Sequence, residues 1–107
     1  MAQLSDLLDR ALRIQGLFAQ REIRCIGRQW SRGDLMRGFT ADVGALSKLT
    51  MAADGVRDVP DYQTKLGHEF ADCLWSLLVL SKEYDVDLES EFLALCEKLE
   101  RQISAEL

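Results

Sequence analysis

Apolar residues recur at helical spacing through almost the whole chain, and no stretch alternates apolar and polar residues long enough to form a strand. That periodicity restricts the fold to helices. The single proline, Pro60, and the glycines Gly27, Gly33, Gly55 and Gly67 divide the chain into segments. A first helix is expected over about residues 5–23, with Leu4, Leu7, Leu8, Ala11, Leu12 and Phe18 as its stripe. A loop over 24–33 follows. A second helix is expected to start at Asp34 as N-cap, with Leu35, Phe39, Val43, Leu46, Leu49 and Ala53 on one face. Residues 54–60 read as a turn. A third helix is expected over about 61–84, apolar nearly all round in its second half. The acids of 85–87 break the chain, and a fourth helix follows with the stripe Leu88, Phe92, Leu95, Leu99 and Ile103. The expected fold is all-α, a four-helix bundle of one domain over residues 1–107, completed by self-association because so short a chain buries a thin core.

The longest strongly apolar stretch, residues 70–80, falls far short of the ~20 residues that span a bilayer, so no membrane partner is expected. No leader with a cleavage site opens the chain, so export is not expected. Cys25, Cys73 and Cys96 are widely spaced and His68 is the only histidine, which leaves no zinc-type ligand set. Cys73 and Cys96 sit in helical apolar patterns and read as reduced core residues, which points to the cytoplasm.

The net charge of −5 hides an asymmetry. Seven arginines lie between Arg10 and Arg37, against Glu22 and Asp34 alone, whereas thirteen acids face five bases from Asp54 onward. An acidic chain is a poor general nucleic-acid binder, since that affinity comes from neutralising phosphates. A local arginine-rich segment still suits a small anion such as a triphosphate; otherwise it is a solvated face that pairs with the acidic half.

The informative residues are acids inside apolar stripes. At ~100° per residue, Asp42 falls within the arc of Leu35, Phe39, Leu46 and Leu49. Asp72 is the only charge between Phe70 and Leu80, and Glu69 lies one turn before it on the same face. A buried carboxylate needs a cation, a donor or a raised pKa. Either arginines of the first helix pair with Asp42 and Asp72, or the three acids converge as a hard-oxygen site of the kind magnesium takes.

Two segments resemble a known family. DLMRGFTADVGALSKL, residues 34–49, resembles the first motif of the MazG-like all-α nucleoside triphosphate pyrophosphohydrolases, most of all their dCTP pyrophosphatase branch. HEFADCLWSLLVLSKEYDVDLESEF, residues 68–92, resembles the second motif, an E-L-A-D-V-L followed by a leucine-rich run and G-I-D-L. Arg28-Gln29-Trp30 resembles the family's upstream Arg-x-Trp, and the likeness extends over about residues 21–101.

The resemblance implies hydrolysis of a nucleoside triphosphate to monophosphate and pyrophosphate by a homodimer or homotetramer. It also implies Mg2+, with Mn2+ as a substitute. Asp42, Glu69 and Asp72 take the positions of metal ligands, Glu69 and Asp72 being the catalytic pair, and Trp30, Arg28 and Lys48 are the candidate substrate contacts. The chain departs from the family where a second glutamate of the first motif is replaced by Ala45, and where a further acid is replaced by Lys48. Three acids then hold the ion, or the chain is a non-catalytic helical module that kept the bundle and lost the cage. Lys48 either carries part of the missing positive charge or is a solvated surface lysine. His68 reads as an ordinary interfacial histidine, with a proton shuttle beside Glu69 as the sharper alternative. Trp75 reads as a core or interface residue, and Gly44 as a point where another helix approaches closely.

Overall fold

A computed structural model describes residues 3–107 as four α-helices joined by short connections, with no strand among the described residues. The helices are α1 (Leu4–Ile26), α2 (Arg32–Ala53), α3 (Tyr62–Glu83) and α4 (Leu88–Glu106). None is long and apolar enough to cross a membrane.

Helix α1 runs three residues beyond its expected end and stops at Gly27, whose φ of 78° is left-handed and whose N–H donates to the Ile23 carbonyl. Helix α2 begins earlier than expected, and its N-cap is Ser31 rather than Asp34. Ser31 Oγ accepts the Asp34 N–H at 3.1 Å, and the Asp34 carboxylate accepts the Ser31 N–H at 2.9 Å. Asp34 is therefore the acid of a capping box at the third helical position. Arg28 at 2.7 Å and Arg37 at 2.6 Å grip the same carboxylate. Arg28 first, then the Ser31 N–H and Arg37, hold Asp34 well below the usual carboxylate range.

The closest pairing is α2 along α3, and α1 packs more lightly on α3. Their shared core is Ala11, Leu35, Leu78, Val79 and Leu80, with Leu4, Leu8, Phe39 and Trp75 packed against it. Of the expected α2 stripe, Leu35 and Leu49 are buried, whereas Val43 and Ala53 are exposed, and Ala52 is buried in place of Ala53. Gly44 meets no neighbour: a Cβ there would find nothing within 4 Å, so it serves no close helix approach in this chain.

Helix α4 departs from the expected bundle. Its first residue, Leu88, packs against the core, and none of its residues is buried. The start of α4 is well made, because Asp87 accepts from Ser90 N–H at 3.1 Å. What α4 lacks is a packing partner for its apolar stripe.

Candidate metal centre and its cavity

The α2–α3 packing brings Asp42, Glu69 and Asp72 together. One carboxylate oxygen from each lies within 4.8 Å of the other two, and all three residues are half-buried. Adjacent ligands of an octahedral magnesium ion at about 2.1 Å are about 3.0 Å apart and opposite ones about 4.2 Å, so these oxygens would draw together by up to roughly 2 Å around one ion.

The electrostatics fit a cation. Burial, reinforced by Asp72, raises the Asp42 pKa above its ordinary value. Burial, then Asp42 and Asp72, raises that of Glu69. Glu69 Oε2 is shut off from solvent and accepts no hydrogen bond. A buried carboxylate oxygen without a donor is costly, and a hard cation supplies the missing positive partner. The neighbouring thiol of Cys73 is pushed up by burial and by the same three acids. These acids can hold a metal ion; the donor set is all carboxylate oxygen, the preference of hard divalent cations.

The arginines do not compete for this site. Among the described residues the ion pairs are Arg28–Asp34, Arg37–Asp34 and His68–Asp72. His68, an exposed residue one turn before Asp72, places Nε2 3.1 Å from an Asp72 oxygen. It faces one edge of the triad and leaves the buried oxygen of Glu69 unpaired.

Beside the triad lies a cavity of about 1130 Å³, just above the usual ~300–1,000 Å³ of small-molecule sites. Phe18, Arg21, Trp30, Asp42, Asp72 and Trp75 all reach its wall. Trp75 is held by a hydrogen bond from Nε1 to the Ala11 carbonyl at 3.2 Å and by an edge contact with Phe18, ring centroids 5.5 Å apart. Arg21 sits 4.7 Å above the opposite partner of that pair, the Phe18 ring.

Trp30 is 45% exposed and lines the cavity, so part of it is accessible to a ligand. Its backbone N–H donates to the Glu22 carboxylate at 2.8 Å, and its ring lies close to Gly38, where a Cβ would come within 3.2 Å of it. Gly38 thus sets how near the tryptophan approaches α2.

Arg28 and Lys48 do not line the cavity. Arg28 is engaged with Asp34, and Lys48 is exposed. Ala45 is half-buried one turn from Asp42, where it offers no ligand atom. Arg21 is the first of the arginines between Arg21 and Arg37 that the sequence offers for phosphate, and it is the one that lines the cavity, whereas Phe18 and Gly38 were not anticipated there. Only the helical periodicity of α1 marked Phe18, and the approach of Trp30 to Gly38 depends on the loop between α1 and α2. Comparison with protein-family models, with curated proteins and with solved structures returned no match.

Proposed function

We propose that the chain is a metal-dependent nucleoside triphosphate pyrophosphohydrolase of the MazG-like kind, which clears nucleotides from the cytoplasmic pool. The observation that carries this reading is the convergence of Asp42, Glu69 and Asp72, without an arginine partner, at the edge of an aromatic cavity. These residues stand where the motif resemblance puts metal ligands. When bound there, Mg2+ or Mn2+ would neutralise phosphate charge and acidify a water for attack.

The chain's own residues supply the rest. The accessible part of Trp30 offers stacking for a base, and Phe18 with Trp75 forms an apolar floor. Arg21, which forms no ion pair among the described residues, is placed for phosphate better than Arg28 or Lys48. Free cysteines at Cys25, Cys73 and Cys96 suit a reducing compartment. Ala45 favours a second reading, a binding module with an incomplete cage, because it leaves a first-motif ligand position empty of oxygen.

Pyrophosphate release from pooled ribo- and deoxyribonucleoside triphosphates separates the two. The expected result is release that depends on Mg2+ or Mn2+ and falls in Glu69→Gln by more than the roughly 10–100-fold that loss of a mere supporting partner costs at a metal site. Release no greater than that of Glu69→Gln would select the binding module.

A further inference from the structure

Trp30 is held in the cavity wall from two helices at once. Its backbone N–H donates to the Glu22 carboxylate of α1 at 2.8 Å. Its ring lies on α2 over Gly38, where a Cβ would stand 3.2 Å from the ring atom Cζ3 and 3.8 Å from Cη2. The first of these is shorter than the ~3.5–4.0 Å at which carbon atoms sit comfortably, so any side chain at 38 displaces the ring. The link between α1 and α2 is fixed independently. Gly27 stops α1 in the left-handed region, and Arg28 and the Ser31 N–H both donate to the Asp34 carboxylate, at 2.7 Å and 2.9 Å. With the backbone pinned in this way, the place of the indole is left to what α2 presents beneath it.

Glycine inside a helix is destabilising, because it loses more backbone freedom than alanine does. Helix α2 carries Gly38 and Gly44 in its interior. At Gly44 a Cβ would meet nothing within 4 Å. At Gly38 the two atoms it would meet both belong to the Trp30 ring. The bare position at 38 therefore answers to the tryptophan and not to helix packing. Glu22, Trp30 and Gly38 all line the cavity that holds Asp42 and Asp72 in its wall.

We propose that Gly38 and Glu22 are positioning residues that set where the Trp30 indole stands in the cavity: Glu22 pins its backbone from α1, and the bare Cα of Gly38 seats its ring on α2. The ligand they serve is an aromatic nucleobase, for which an indole is a stacking surface. That choice of ligand rests on the reading above. The seat itself is independent of metal and of catalysis, since neither residue belongs to the acid triad. A ring pushed off its seat is still aromatic but stands in the wrong place. Affinity for the base should then fall while the chemistry at the acids does not, so in the active enzyme KM rises and kcat changes little.

Fluorine NMR of the fluorotryptophan-labelled protein tests it, with separate lines for Trp30 and Trp75 assigned by Trp30→Phe. The probes are the four common deoxynucleosides, which carry the base without the phosphate and need no metal. In the wild type at least one of them is expected to shift the Trp30 line saturably at millimolar concentration. Gly38→Leu is expected to move the Trp30 line of the free protein, to leave the Trp75 line in place, and to weaken binding by roughly 5- to 150-fold, the range for one stacked base. Gly38→Ala should act in the same direction by less, and is the variant to read should leucine unfold the chain by circular dichroism. Gly44→Ala should raise the melting temperature and change neither the lines nor the affinity. Glu22→Gln, whose amide oxygen still accepts the Trp30 N–H, should keep most of the affinity that Glu22→Ala loses. A wild-type Trp30 line that no deoxynucleoside moves would overturn the proposal. So would a Gly38→Ala protein that matches the wild type, or a Gly44→Ala protein that loses as much as Gly38→Ala. Pyrophosphate release is scored separately. Release by a wild type that binds no nucleoside at Trp30 would leave the hydrolase reading standing without the seat. Nucleoside binding that depends on Gly38, in a protein that releases none, would leave the seat standing without the hydrolase.

Discussion

With Mg2+ or Mn2+ in excess the protein is expected to melt well above its temperature in chelator, and Asp42→Asn is expected to erase that difference from both sides. An ion that binds the folded state alone, at a hundred times its Kd, stabilises by about 2.7 kcal/mol. For a domain near 100 residues that is roughly 10–20 °C in Tm. In the metal-free protein the three acids repel one another: burial and neighbouring acids raise Asp42 and Glu69 above their ordinary values. The folded state then holds protons more tightly than the unfolded chain does. The stability contributed by these groups is full below the unfolded carboxylate values, near pH 4, and is lost as pH rises through the raised folded values. Metal-free protein should therefore weaken as pH rises above the ordinary carboxylate range, while the gain from added metal grows as the carboxylates ionise. Asp34, held low by Arg28 and Arg37, acts oppositely and only below the ordinary carboxylate range. Asp42→Asn removes a buried charge, so in chelator at neutral pH it should melt higher than wild type, and it should gain little from metal. Melting curves across pH, with metal and with chelator, check both signs.

Truncation of the α3 core should have the largest stability effect. Leu78 is 4% exposed and packs with Val79, Leu80, Leu35 and Ala11. Leu78→Ala removes buried methyl groups and leaves a cavity, which together cost about 2–5 kcal/mol. A small domain holds only about 5–15 kcal/mol in all, and this core is made of few residues. The variant should lose much of its cooperative denaturation midpoint in urea. Leu77→Ala, one residue away on the exposed side of α3, serves as comparison: its side chain is 43% exposed. Equal losses would contradict the assignment of which α3 face is buried.

The helices and their order are legible in the sequence because each carries its own period and its own stop, such as Gly27 and the acids of 85–87. Helix ends were less legible. Asp34 reads as an N-cap when only the local sequence is considered, but Ser31, three residues earlier, takes the cap and leaves Asp34 to two arginines. The acid cluster was legible since a carboxylate in an apolar stripe contradicts the pattern around it. Its freedom from arginine was not, because ion pairing depends on how α1 is placed against α2 and α3: none of Arg10, Arg13, Arg21 and Arg24 forms an ion pair among the described residues. The cavity was legible only in part. Trp30 follows from the loop sequence and Arg21 from the arginine-rich segment, whereas Phe18 and Gly38 enter through the crossing of α1 over α3 and the path of residues 27–31. The failure of α4 to pack was illegible: its stripe fits an intramolecular neighbour as well as a second chain.

If Asp42, Glu69 and Asp72 form one divalent-cation site, the ion itself should be countable. Direct titration of Mn2+, followed by loss of the free-ion electron paramagnetic resonance signal, tests it without reliance on catalysis. Saturable binding of one ion per chain is expected in the wild type, and none in a protein carrying Asp42→Asn, Glu69→Gln and Asp72→Asn together. Equal Mn2+ uptake by the two proteins, or no uptake by the wild type at millimolar ion, would contradict it.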